Sequence, residues 1–175
     1  MKEILMETNK PQIGEGRIVV LGLHDENDKG LISYSVKKAG YDPILCIDTE
    51  GIRRMLTELP SIRACFMDLN LERESNKRQT TDLNPAQAVV QVMRGRGYDI
   101  PSTFMGISGN QKLIELALEE SIPGYHKITD HTLSRARITN FLNRTGVFDL
   151  RERPSDPAKL KEYLKAITEG KHYKP

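Results

Sequence analysis

Hydrophobic runs and amphipathic stretches alternate five times between residues 17 and 145. Each run is short, rich in branched residues and nearly continuous, which is typical of a parallel strand buried on both faces. Most of the stretches that follow carry apolar residues at helical spacing, which predicts a helix after each strand. The predicted strands fall at residues 17–23, 43–47, 62–68, 103–107 and 124–126. The helices are predicted to begin near Asn27, Asp48, Asn84, Ser108 and Thr129.

This order of elements predicts a flavodoxin-like α/β domain. Right-handed crossovers between parallel strands place helices on both faces of the sheet. The (βα)5 pattern therefore gives a doubly wound three-layer sandwich with an expected strand order of 2-1-3-4-5. Residues 1–16 are predicted to form an N-terminal arm, residues 17–145 the domain, and residues 146–175 a linker with an extra C-terminal helix. That helix is amphipathic, and its apolar stripe comprises Leu160, Tyr163, Leu164 and Ile167.

Composition and charge exclude several classes of function. The chain has 175 residues and a net charge of +2, which is too weak to indicate a nucleic-acid partner. The sequence has no apolar run of membrane-spanning length and no signal-peptide pattern near Met1, so we expect a cytoplasmic protein with no membrane partner. Cys46 and Cys65 lie in apolar runs, and we expect both to be buried free thiols.

Asp68 is the strongest candidate for chemistry in the sequence. It directly follows the apolar run 62–67, so it stands at the carboxyl end of a predicted buried strand. A carboxylate there contributes little to stability, and the carboxyl ends of parallel strands are where open α/β sheets bind ligands. Ser108 occupies the corresponding place after the fourth strand, where it can cap the next helix, face the same cleft, or do both.

Three segments in this order resemble the receiver domain of two-component response regulators. Phe66-Met67-Asp68-Leu69-Asn70-Leu71 is similar to the family's LLDLNLP segment. Phe104-Met105-Gly106-Ile107-Ser108-Gly109 is similar to VIMLSG, and Lys38-Ala39-Gly40-Tyr41 is similar to EEAGY. The resemblance covers residues 17–145. It implies a stand-alone receiver in a phosphorelay, which is not itself an enzyme.

The resemblance also implies a role for individual residues. Asp68 would be the phospho-acceptor, and the backbone carbonyl of Asn70 would help to bind Mg²⁺. Ser108 would contact the phosphoryl group, and Lys127 would neutralise it. The implied partners are a histidine kinase or phosphotransfer protein that donates the phosphoryl group and an output protein that reads it. A homodimer through the C-terminal helix is also expected by resemblance.

The sequence departs from the receiver pattern at three places. The family ends its first strand with two adjacent acids, and Leu23 and His24 occupy those positions here. Asp25 and Glu26 follow directly, so a small shift would restore two acidic metal ligands. The alternatives for His24 are a core or cap histidine and a replacement ligand for a softer metal, and we favour a polar cap. The loop at 72–82 is longer than in the family, and Lys127 is followed by isoleucine rather than proline.

Two other functions remain open at this point. If the missing acid pair has silenced the chemistry, the chain is a pseudo-receiver that serves as a docking module without being phosphorylated. A small α/β nucleotide-binding or hydrolytic protein would use the same strand ends. No Walker, dinucleotide-binding, nucleophile-elbow or zinc-protease motif occurs in the sequence, which weakens the second alternative.

Overall fold

The computed structural model describes residues 16–71, 83–126, 135–142 and 156–168. In these ranges the strands are β1 (Ile18–Gly22), β2 (Asp42–Cys46), β3 (Ala64–Asp68), β4 (Phe104–Ser108) and β5 (Gly124–His126). The helices are α1 (Glu26–Lys38), α2 (Thr49–Glu58), α3 (Asn84–Gly95), α4 (Ile100–Thr103), α5 (Gln111–Glu119), α6 (Arg135–Leu142) and α7 (Pro157–Thr168). The sequence pattern did not predict α4. It is a single turn with Pro101 near its start, and it leads directly into β4.

The five strands form one parallel sheet in the order β2-β1-β3-β4-β5. This confirms the predicted flavodoxin-like fold and its strand order. The order reverses direction after β1, because β2 lies on one side of β1 and β3 on the other. In open α/β sheets the crevice at such a reversal, at the carboxyl ends of the strands, is where ligands bind. Asp68 ends β3, which is one of the strands at this reversal.

The helices pack in two groups, as right-handed crossovers require. Helix α1 contacts α6, and α2 contacts α3. The central strands β1, β3 and β4 are almost fully buried, most completely β4, where all five residues are buried, whereas in the edge strand β2 only Cys46 is buried. Helix α2 carries Ile52 and Leu56 on its core face, one turn apart, and both are fully buried. The sheet is therefore a rigid base from which the loops at its carboxyl edge project.

Both cysteines are free and buried, as expected. Cys46 ends β2, and Cys65 lies in the middle of β3. Burial raises the pKa of both thiols, that of Cys46 to about 11. Because a neutral buried thiol is a poor nucleophile, the two side chains act here as packing groups.

The two ends of the chain lie mostly outside the described residues. This applies to the predicted arm, from which only Gly16 is described, and to the linker before residue 156. The predicted C-terminal helix is present as α7, which begins after Asp156 and lies beside α6. Asp156 caps it by accepting from the N–H groups of Ala158 and Lys159 at 3.0 and 2.9 Å. The side chains of the apolar stripe, Leu160, Tyr163, Leu164 and Ile167, lie outside the described part of the structure. Among the described helices none is long and apolar enough to cross a bilayer.

Candidate functional site

Asp68 and Ser108 lie together at the carboxyl edge of the sheet. In the register of β3 and β4, Asp68 is opposite Ile107, and Ser108 is the next residue. Neighbouring strands are about 4.8 Å apart and rise about 3.3 Å per residue, which puts the two Cα atoms about 6 Å from each other. The sequence-based expectation that these strand ends converge therefore agrees with the register. Lys127, the third member of the predicted site, lies outside the described residues, as does the long loop at 72–82.

A tight turn holds Asp68 at the end of its strand. The N–H of Leu71 donates to the carbonyl of Asp68 at 3.0 Å, which closes the turn. The N–H of Leu69 donates to the carbonyl of Ile107 at 2.8 Å and ties the turn to β4. Inside the turn, the backbone N–H of Asn70 donates to the Asp68 carboxylate. The carboxylate is thus oriented by its own loop, which suits a group that must react from one direction.

Glycines on the two neighbouring strands make room for the leucines of this turn. A Cβ at Gly106 of β4 would lie 2.5 Å from Leu69 Cδ2. A Cβ at Gly22 of β1 would lie 2.9 Å from Leu71 Cδ2. Leu69 and Leu71 are both buried, so the turn is anchored on each side of Asn70. The role of these two glycines was not predicted from the sequence, because it depends on how the strands pack against the turn.

The carboxyl group of Asp68 is half-buried, and its pKa is raised to about 6. Burial is the largest cause, because removal from water penalises the charged form. The N–H groups of Asn70 and His24 lower the pKa by donating to the carboxylate, and the charge of His24 lowers it as well. Asp28 acts in the opposite direction and raises the pKa of Asp68. The net result is that the ionised form of Asp68 is less favourable than that of an aspartate in water.

The acid that acts electrostatically on Asp68 is Asp28, which the sequence reasoning missed. Asp25, one of the predicted metal ligands, is the N-cap of α1, where its carboxylate accepts from the N–H groups of Asn27 and Asp28 at 2.9 and 3.0 Å. Glu26, the other, is exposed, and Lys29 donates to its carboxylate at 2.5 Å. Asp28 is only 7% exposed. It lies four residues before the buried Ile32, so its place on the core-facing side of α1 was the available sequence signal.

By the resemblance, Leu23 and His24 occupy the positions of the family's acid pair. In the structure the two residues differ in their burial. Leu23 is 2% exposed and belongs to the core. His24 is exposed, and its backbone N–H donates to the Asp68 carboxylate. A backbone N–H therefore contacts Asp68 at a position where the resemblance implies a carboxylate.

Ser108 is 2% exposed, and its Oγ accepts from the backbone N–H of Asn110 at 3.0 Å. Asn110, not Ser108, is the N-cap of α5, since its side chain accepts from the N–H of Lys112 at 3.0 Å. The Ser108 oxygen stabilises the loop before the helix while its own proton stays available for donation. Of the two uses that the sequence left open, capping of the helix falls to Asn110, and the role of Ser108 in the cleft stays a prediction.

The oxygen atoms around Asp68 fit Mg²⁺. In the described part of the chain no group of three or more His, Cys, Asp or Glu side chains is arranged to hold a metal ion. Mg²⁺ is usually held by only one or two carboxylates, with water in its remaining positions. Asp68 and Asp28 are two such carboxylates, and the carbonyl of Asn70 lies on the same turn. Asp28 is buried and raises the pKa of the half-buried Asp68, and a hard divalent cation between two such carboxylates favours their charged forms.

Comparison with known proteins shows the fold. No family model and no curated protein matches this sequence. Among solved structures, the chain is similar to a de novo designed Rossmann 2x3 fold protein at 15% identity and a TM-score of 0.54, over 77% of this chain and 94% of that one. It is similar to a bacteriophytochrome response regulator at 15% identity and a TM-score of 0.52, over 91% of this chain and 99% of the other. It also matches a response regulator receiver domain protein from Clostridium thermocellum at 17% identity and a TM-score of 0.47, over 74% and 96%.

The bacteriophytochrome response regulator is matched along nearly its whole length by nearly the whole of this chain. The identity is too low to carry a function across, but the order and direction of all five strands agree with the resemblance found in the sequence. The chain therefore has the fold of a response-regulator receiver domain.

Proposed function

We propose that this chain is a receiver that accepts a phosphoryl group on Asp68 and signals through protein contacts. The observation that supports the proposal best is the state of Asp68. It is a half-buried carboxylate at the carboxyl edge of the sheet, oriented by two backbone N–H groups and facing a second acid, Asp28. A solvent-facing structural acid needs none of these features.

In the proposed reaction, a carboxylate oxygen of Asp68 attacks the phosphorus of a donor. A carboxyl oxygen–phosphorus bond forms, and the bond between phosphorus and the donor's leaving group breaks. With a pKa of about 6, the carboxyl is about nine-tenths ionised at pH 7, so the nucleophile is in its reactive form. The N–H groups of Asn70 and His24 donate to the carboxylate and help to keep it ionised.

Asp28, Asp68 and the Asn70 carbonyl would hold Mg²⁺, which when bound supplies positive charge against the phosphoryl oxygens. The hydroxyl of Ser108 lies at the adjacent strand end and would donate to the phosphoryl group. Lys127 follows β5 directly, and the family resemblance gives it the balancing positive charge. Transfer changes the charge at residue 68, and rearrangement of Ser108 would carry that change to the loop before α5.

The partners in this proposal are a histidine kinase or histidine phosphotransfer protein as donor and an output protein as receiver of the signal, in the cytoplasm. The fold leaves both to be identified by experiment. A pseudo-receiver that docks without phosphorylation is the second candidate. The observation that favours it is Leu23, which is buried in the core at a position where the family carries an acid.

Incubation with a small acyl phosphate, followed by mass spectrometry of the intact protein and its peptides, tests the proposal. We expect one added phosphoryl group on the wild type, located at residue 68, and none on Asp68→Asn. Asp48→Asn is a matched control, because Asp48 also follows a strand at the same edge but serves as the N-cap of α2, which asparagine fills equally well. A wild type that stays unmodified with acyl phosphate and Mg²⁺, and that gives no amide shifts with beryllofluoride, would leave the pseudo-receiver as the function.

A further inference from the structure

His24 is held beside Asp68 by the main chain on both sides. Before it, Leu23 is anchored in the core, and after it Asp25 is fixed as the N-cap of α1. The backbone N–H of His24 itself donates to the Asp68 carboxylate. These three restraints leave the residue little freedom in its backbone, while its side chain is exposed at the opening of the cleft.

The side chain of His24 also lies at the edge of the sheet that carries Asp68. In the register of β1 and β3, Gly22 is opposite Met67, so His24 follows β1 at the same edge of the sheet at which Asp68 ends β3, and its side chain is exposed there. An imidazole ring carries at least one N–H donor in either protonation state. A phosphoryl group on Asp68 would extend from the carboxylate toward solvent and present additional oxygens to such a donor.

An acid and a histidine have opposite effects at this position. A carboxylate beside a phosphoryl group repels it unless a metal ion lies between them. A histidine donates a hydrogen bond to it directly, and bonds to a charged acceptor are the stronger kind. With His24 in place of an acid, less positive charge from a metal ion is therefore needed to balance the phosphoryl group.

We propose that His24 is a phosphoryl-binding residue, whose imidazole N–H donates to the phosphoryl group on Asp68 and reduces the Mg²⁺ requirement of phosphorylation. The inference rests on the proposed function of Asp68. With a small acyl phosphate such as acetyl phosphate, the Asp68 oxygen–phosphorus bond forms and the donor's phosphorus–oxygen bond breaks. The electron pair leaves with acetate, and no net proton is gained or lost. His24 contributes only its hydrogen bond and returns unchanged.

The test measures the rate of Asp68 phosphorylation by acetyl phosphate, in EDTA and in Mg²⁺, for the wild type and for His24→Ala, His24→Gln and His24→Asp. We expect the wild type to react in EDTA and to gain little from Mg²⁺. His24→Ala should lose about 10- to 100-fold in EDTA, as for one hydrogen bond to a charged group, and should recover most of the rate in Mg²⁺. His24→Gln keeps an N–H donor and should lose less, whereas His24→Asp should react only with Mg²⁺.

A second readout does not depend on the rate. Beryllofluoride, which mimics an aspartyl phosphate, should shift the imidazole proton resonances of His24 in EDTA, and the shift should vanish in Asp68→Asn. Thermal melting of each variant checks its folding, which an exposed side chain should leave intact.

The outcomes separate this inference from the proposed function. If the wild type is not phosphorylated at Asp68 in either buffer, both fail. If the wild type is phosphorylated and His24→Ala reacts equally fast in EDTA, or loses the same factor in EDTA and Mg²⁺, only the role of His24 is refuted.

Discussion

The carboxyl group of Asp28 raises the pKa of Asp68, although the two residues are separated by 40 positions in the chain. Asp28 lies in the first turn of α1, and Asp68 ends β3. The electrostatic interaction makes them a pair of acids at one end of the sheet, and neither residue has this property alone. Several expectations follow from this pairing and from the turn that carries Asp68.

Replacing Asp68 with asparagine should stabilise the protein above pH 6 and leave its stability unchanged below about pH 4. The folded pKa of about 6 is above the ordinary aspartate value of 3.8, so protonation favours the folded state. That contribution is fully present below the unfolded pKa and is lost as the pH rises through the folded pKa. The full shift corresponds to about 3 kcal/mol at pH 7.5. Urea unfolding of wild type and variant between pH 4 and 7.5 measures it, and Asp42→Asn, on an exposed residue, is the control. Equal stability at every pH would mean that Asp68 is not strained in its ionised form.

Replacing Asp28 with asparagine should lower the pKa of Asp68 and weaken Mg²⁺ binding. The loss of affinity should be at least about tenfold, which is the cost usual even for groups that only support a metal ligand. Amide NMR during a Mg²⁺ titration gives the affinity, and the carboxyl ¹³C shift of Asp68 gives the pKa. Glu26→Gln is the matched control, because Glu26 is exposed and paired with Lys29 on the same helix. If Glu26→Gln weakens Mg²⁺ binding and Asp28→Asn leaves it unchanged, the prediction is wrong. The metal ligand would then be Glu26, as the sequence first predicted.

A methyl group at Gly106 should destabilise the domain, and one at Gly30 should stabilise it. A Cβ at Gly106 would lie 2.5 Å from Leu69 Cδ2 and 3.1 Å from the carbonyl oxygen of Pro123. Overpacking of this kind costs about 1–3 kcal/mol. A Cβ at Gly30 meets nothing within 4 Å, and Gly30 lies in helix α1, where alanine is better than glycine by about 0.5–1 kcal/mol. Denaturant midpoints of the two variants should therefore move in opposite directions; a shift in the same direction would contradict the packing of Leu69 against β4.

Replacing Arg96 with methionine should destabilise the domain by about 1–3 kcal/mol. Its guanidinium donates to the carbonyls of Leu56, Leu59 and Pro60, which end helix α2 and begin the loop after it. These carbonyls have no partner within the helix, so the arginine caps α2 from a different part of the chain. Arg94→Met is the matched control on the exposed side of α3 and should change stability by less than about 0.5 kcal/mol. Equal effects of the two variants on the melting temperature would show that the cap contributes nothing.

Truncation after Arg153, which removes α7, should lower either the melting temperature or the association of the protein. A helix of 12 residues is marginal by itself in water, so α7 needs a surface to pack on. It lies beside α6, and a homodimer through this region remains a prediction. Differential scanning calorimetry and sedimentation velocity measure the two effects. If neither changes, α7 must bind a third protein.

The alternation of strands and helices, the parallel sheet and the strand order were predictable from the sequence. Buried parallel strands read as short continuous apolar runs, and the rule of right-handed crossovers leaves few ways to connect five of them. The same logic placed Asp68 and Ser108 at one edge, because the last residue of each parallel strand must end there. Short α4 was missed, since a single turn leaves no periodic pattern to detect.

The chain's local pattern alone determined which residues end the strands, and the tertiary structure decided which side chains meet them. Asp25, Glu26 and Asp28 are all acids in or next to the first turn of α1, but one caps the helix, one pairs with Lys29 and one is buried near Asp68. The buried positions of Arg63 and Arg137 were likewise not predictable, because the partners of both belong to other elements. Arg63 donates to the carbonyl of Leu142, and Arg137 contacts the ring and hydroxyl of Tyr125. The physical reason is that a strand end is fixed by backbone pairing, whereas a contact between helix and loop depends on how the helix rotates and packs against the sheet.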